Sequence, residues 1–78
     1  MQRELRQALD TAYSRLRDEQ AEPTAFAGNY ALGLGIVVGG QACGGMTEQE
    51  AAGERAHLSM LAALFEVQAR IRSELNAR

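Results

Sequence analysis

Lysine and tryptophan are missing from this chain of 78 residues, and cysteine, histidine and proline occur once each. Each absence closes a route. With Cys43 alone there is no internal disulfide. Cys43 and His57 together fall short of the roughly four ligands that a closed zinc site needs. Without lysine the phosphate-binding loop that ends in Gly-Lys-Ser/Thr cannot be built. A single unpaired cysteine suits a reducing cytoplasm.

The eight basic residues are all arginine and stand against ten acids, for a net charge of −2. Residues 1–22 carry four arginines and five acids, and residues 48–78 carry the same. No basic patch exists to neutralise nucleic-acid phosphates, so nucleic acid is not an expected partner. An all-arginine set reflects GC-rich coding, or arginine used for bidentate contacts to a partner's carboxylates. The opening MQRELRQALD is charged and amphipathic, unlike the apolar segment of a signal peptide.

Charge is also lacking along one continuous stretch. From Pro23 to Thr47 no residue is charged, and seven of the eight glycines lie there. Its small residues fall four apart at Ala27, Ala31, Gly35, Gly39 and Cys43. Positions four apart share a helix face. Such a smooth face admits a second helix at close range, and Ala27, Ala31, Gly35 and Gly39 are the expected close-packing positions. The stretch is long enough to span a bilayer. Asn29, Gln41, the glycines and the flanking Glu22 and Glu48 argue instead for a buried helix, so a membrane is not an expected partner. A small membrane protein using the ladder for helix association is a third reading.

A chain this short buries only about 60% of its unfolded surface, which leaves a lone core marginal. Disulfide and metal being excluded, oligomerisation remains. A homodimer is therefore expected.

The patterning predicts an all-α fold of one domain, a helical hairpin or three-helix protein with a long C-terminal helix. Leu5, Leu9, Ala12 and Leu16 form one stripe of a helix over residues 2–21, stopped by Pro23. Thr24 is placed to cap a second helix to about residue 42, with Phe26, Tyr30, Leu34, Val37 and Val38 as its bulky residues. Each glycine costs a helix about 1 kcal/mol relative to alanine. The run from Leu32 to Val38 therefore also reads as a short β-strand, because its β-branched residues suit one. Gly44-Gly45 ends the element. Thr47-Glu48-Gln49-Glu50 is a capping box that opens a helix over residues 48–76, with Met46 as the preceding staple residue. Glu66–Arg70 and Glu74–Arg78 are supporting pairs one turn apart.

The third helix has a wide apolar arc. One seam is Leu61, Leu64, Ile71 and Leu75, with Gln68 inside it. The other is Leu58, Ala62, Phe65 and Ala69. An arc this wide predicts two neighbours, the hairpin partner and the same helix of a second subunit. The expected dimer interface is Leu58, Leu61, Leu64, Phe65, Gln68, Ile71 and Leu75. Gln68 is of the kind that fixes register.

Chemistry is sparse. Gly33-Leu34-Gly35-Ile36-Val37-Val38-Gly39 misses the dinucleotide pattern by one residue. His57, with Glu54 nearby, reads as a partly buried hydrogen-bonded side chain, and Cys43 as a small core residue. No base supports a nucleophile. No catalysis, cofactor or small-molecule substrate is expected. Tyr13, Arg15, Arg17 and Tyr30 are the residue types that anchor protein interfaces and are the expected partner-binding set. A helix-turn-helix reading conflicts with the length of the third helix and its balanced charge.

The stretch from Tyr30-Ala31-Leu32-Gly33 through Ala42-Cys43-Gly44-Gly45-Met46-Thr47-Glu48-Gln49-Glu50 is similar to a pattern in small helical proteins of temperate bacteriophages. There, an Ala/Gly-rich helix ends at a glycine and a hydrophobic-Thr-x-x-Glu cap opens a long second helix. Those proteins include inhibitors that bind host proteins, among them anti-CRISPR proteins and quorum-sensing anti-activators. The resemblance implies a cytoplasmic, non-catalytic inhibitor that binds and occludes a host regulator or CRISPR defence complex. No site motif is matched, so no functional residue is carried over. The alternative is an assembly adaptor or chaperone whose glycine-rich face accepts a partner helix.

Overall fold

A computed structural model describes residues 1–18 and 22–77. It is all-α, with three helices: α1 (Arg3–Leu16), α2 (Pro23–Ala42) and α3 (Glu48–Asn76). The long C-terminal helix has the predicted bounds. Residues 32–38 lie inside α2 and are helical, which sets aside the strand alternative.

The first helix is shorter than expected. It ends at Leu16, the last apolar residue of its stripe, with Arg17 as its C-cap. The end of the expected span, residues 19–21, lies outside the described residues. Pro23 does not stop α1. It opens α2 at the first helical position, where its fixed φ suits the helix and its missing N–H has no intrahelical partner to lose. Glu22, not Thr24, is the N-cap residue, and its side chain makes no cap hydrogen bond.

The α2–α3 corner is built from local chemistry. Gly44 has φ +79°, the only positive φ among the described residues. It supports a Schellman turn in which Gly45 N–H donates to Gly40 O (2.9 Å) and Gly44 N–H to Gln41 O (3.2 Å). Then the capping box closes: Glu50 N–H donates to Thr47 Oγ1 (3.0 Å) and Thr47 N–H to Glu50 Oε1 (2.9 Å). Met46 and Ala51, the two staple positions, are both buried in the core.

The helices run up, down and up. Met1 lies beside Glu50, and Tyr13 beside Glu54 and His57, so α1 and α3 run the same way. Phe26 stacks on Phe65, and Gly33 meets Leu58 nearer the start of α3, so α2 opposes both. The core is one cluster of Leu9, Tyr13, Leu16, Phe26, Val37, Met46, Ala51, Leu58 and Leu61. Leu9, Val37, Ala51 and Leu58 are fully sealed from solvent.

Close approach falls on glycines outside the predicted ladder. A Cβ on Gly33 would sit 3.0 Å from Leu58 Cδ2, and one on Gly40 would sit 3.1 Å from Leu5 Cδ1. On Gly45 it would be 2.7 Å from Leu5 Cδ1. Gly35 and Gly39 have nothing within 4 Å of that point, and Ala27 and Ala31 are exposed. The ladder of four therefore faces outward and packs against neither α1 nor α3.

Candidate interaction surfaces

Three features of the surface stand out: a polar seam between α1 and α3, the outer side of α2, and the end of α3.

The polar seam is internal. Arg6 Nη1 contacts Glu54 Oε1 at 2.7 Å, a charge contact whose angle falls outside hydrogen-bond geometry. Arg6 also pairs with Asp10 one turn on, at 2.9 Å. Burial alone would lower the pKa of the Arg6 guanidinium, but the Glu54 and Asp10 carboxylates beside it outweigh that and raise it. Tyr13 lies beneath this pair, with Arg6 Cζ 5.9 Å from its ring centre. Its hydroxyl donates to Glu54 O at 3.4 Å. Burial first, then the Glu54 charge, pushes the phenol up to about 12. On its other side Tyr13 meets the His57 ring, with centroids 4.2 Å apart. Arg17 Nη2 stands 3.3 Å from His57 Nε2. Arginine can only donate, so His57 Nε2 is placed to accept in this contact.

That geometry corrects the expected partner-binding set. Tyr13 is 1% exposed and belongs to the core, so it cannot anchor a partner. Arg17 is exposed but held by His57, and Tyr30 is half-buried with its ring 6.3 Å from Phe26. Arg15 is exposed in the last turn of α1. These four residues do not form one surface. His57 is the partly buried, hydrogen-bonded residue expected. Cys43, by contrast, is exposed at the end of α2, with Sγ 3.5 Å from Gly40 O. It is not a core residue: it is the C-cap of α2, on the exposed side of the turn whose Gly45 and Met46 are buried.

The outer side of α2 carries Ala27, Gly28, Ala31, Leu32, Leu34, Gly35, Val38 and Gly39, all exposed and none charged. Leu32 is 49% exposed and Val38 57%. Comparison with known protein families, with curated proteins and with solved structures returns no match.

The expected dimer interface divides in two. Leu58 and Leu61 are buried at 0% and 4% against the rest of the bundle. Phe65 is half-buried, stacked on Phe26 with centroids 4.0 Å apart and planes 15° apart. These three are correctly placed on an apolar face, but their own chain covers it. Leu64, Gln68, Ile71 and Leu75 are exposed. From Glu66 to Ala77 every residue except Ala69 is exposed, because α3 outruns its neighbours. Of the two supporting pairs, Glu74–Arg78 ends on a residue outside those described. Two depressions lie on this part of α3, one of about 300 Å³ lined by Gln68, Ile71, Arg72 and Leu75. The other, of about 480 Å³, is lined by Ala69, Arg72, Ser73, Asn76 and Ala77. A single helix walls each of them, so neither encloses a small molecule.

Among the described residues no three His, Cys, Asp or Glu side chains come together as a metal-binding group. Among the same residues no helix is long and apolar enough to cross a membrane.

Proposed function

We propose that this protein is a non-catalytic protein-binding module that acts by occupying a surface of its target. The observation that carries this reading is the outer side of α2, a charge-free face of small and aliphatic residues left open by its own fold. Continuous exposed apolar surface on a small protein marks a contact site for protein or membrane. A helix lying on a membrane surface needs a basic polar face, and α2 has no charged residue at all. A protein target fits better.

The resemblance to small phage proteins favours a host regulator or a CRISPR defence complex as the target, inhibited by steric occlusion. The openness of the α2 face also supports the adaptor reading, in which Gly35 and Gly39 let a partner helix approach closely. The two differ in consequence: an inhibitor abolishes its target's activity on binding, while an adaptor leaves that activity intact and joins the target to something else.

The test is paired capture from host extract, using the natural chain and a Gly35→Arg/Val38→Glu variant. Both positions are exposed, and Gly35 has open space around it. The variant should keep its helical spectrum and lose a protein that the natural chain retains. Equal recovery of the same proteins by both would overturn the α2 face as the binding site.

A further inference from the structure

A different surface, independent of the α2 face, points to a specific occupant. Met60, Leu64, Val67, Ile71 and Leu75 are each half exposed or more. Their spacing of four, three, four and four residues draws one line along α3. α1 ends at Leu16, so beyond that level α3 has lost the neighbour on its α1 side.

We infer that a second copy of this chain covers this line, giving a two-fold dimer in which α3 packs on α3. The first argument is area. A folded monomer of 8.4 kDa should expose about 4,600 Å². This chain exposes 5310 Å², roughly 700 Å² more, close to the ~800 Å² that each partner contributes to a standard interface. The second is shape. The radius of gyration is 14.1 Å against about 11.5 Å for a compact chain of this length, and the long axis reaches 51 Å. Residues 66–77 of α3, exposed except for Ala69, carry Val67, Ile71 and Leu75 of that line.

The third argument is charge. Around the line, residues 66–77 carry Glu66, Arg70, Arg72 and Glu74, which sum to zero. Two copies meet there without net repulsion, while a strongly charged partner finds no complement. A two-fold interface uses the same patch on both copies, and here that patch is an apolar line equal in length on each. Gln68 borders the line, exposed beside Val67, where a polar side chain can set register.

The test is sedimentation equilibrium over a wide concentration range, with melting followed at each concentration. The natural chain should show twice its 8.4 kDa mass and a melting temperature that rises with concentration. Ile71→Glu/Leu75→Glu should weaken association at least about 100-fold and sediment as a single chain. Both positions are more than half exposed, so the bundle and its helical spectrum should persist. Gly35→Arg should remain dimeric, which separates this inference from the α2 reading. A natural chain that stays monomeric up to about 1 mM would overturn the inference. So would undiminished dimerisation of the α3 variant, or loss of the dimer on Gly35→Arg alone.

Discussion

Gly33 and Leu58 share one space: the δ-methyl of Leu58 stands 3.0 Å from where a side chain at position 33 would begin. The contact locks α2 onto α3 at the centre of the core, where Leu58 is fully buried. Gly33→Val should therefore destabilise the fold by about 2 kcal/mol or more, since overpacking typically costs ~1–3 kcal/mol. Gly35→Ala, in open space on the same helix, should stabilise by about 0.5–1 kcal/mol by reducing the freedom of the unfolded chain. Urea melts of the two variants check both signs. Equal effects would contradict the outward placement of Gly35.

Acid should weaken the start of α3. Glu50 accepts from Thr47 N–H and also holds the Met1 amino group at 2.9 Å. The Thr47 hydrogen bond first, then the bond to the amino group, lowers its carboxyl to about 2. A carboxyl depressed on folding contributes stability that is present above its unfolded value near 4.5 and is lost as pH falls through 2. Melts of the natural chain should decline across that window. Glu50→Gln should start lower at pH 7 and decline less.

Base should act on Tyr13 in the opposite sense. Its phenol is raised on folding from 10.0 to about 12. Its contribution is complete below pH 10 and is lost as pH rises through 12, because the unfolded chain gives up the proton first. The ultraviolet absorbance of tyrosinate follows the titration. In the folded chain the Tyr13 phenol should titrate only as the helical signal collapses.

Removing Arg6 should expose the weakness of the seam. Glu54 keeps only 12% of its side-chain surface in water and contacts Arg6 at 2.7 Å. Arg6→Met should destabilise by about 1–2 kcal/mol by leaving a buried carboxylate unpaired. Adding Glu54→Gln should recover part of that loss. A double-mutant cycle with no coupling would show that the contact contributes nothing.

The first and third helices were legible because their signals are local, while the glycines and β-branched residues of 32–38 left α2 open between helix and strand. The Thr47–Glu50 box, the Gly44-Gly45 turn and the stripe ending at Leu16 each lie within a few residues of sequence. The packing on α2 was not, and the reason is geometric. A helix repeats every 3.6 residues, so a ladder of strict fours drifts by about 40° per step, and Ala27 to Gly39 sweeps about 120°. Such a set winds away from the line that α1 and α3 cover. The buried positions Phe26, Gly33, Val37 and Gly40, spaced by seven, four and three, keep one direction. Tyr13, Glu54 and His57 carried no mutual signal, because a contact 41 residues apart has no period to betray it. Leu58 and Leu61 were rightly read as apolar. Sequence alone could not say whether their own chain or another would cover them.

The unaccompanied end of α3 has a consequence for how the molecule breathes. An isolated helix of fewer than about 12–15 residues is marginal in water, because nothing but its own backbone hydrogen bonds holds it. Residues 66–77 continue a longer helix, but all except Ala69 are exposed, so little packing holds them when the chain is alone. Amide hydrogens there should exchange with solvent by local fraying, long before Leu58 or Ala51 gives up its own. A companion laid along that end would slow this exchange residue by residue, so the last three turns of α3 act as a built-in gauge of whether the protein is by itself.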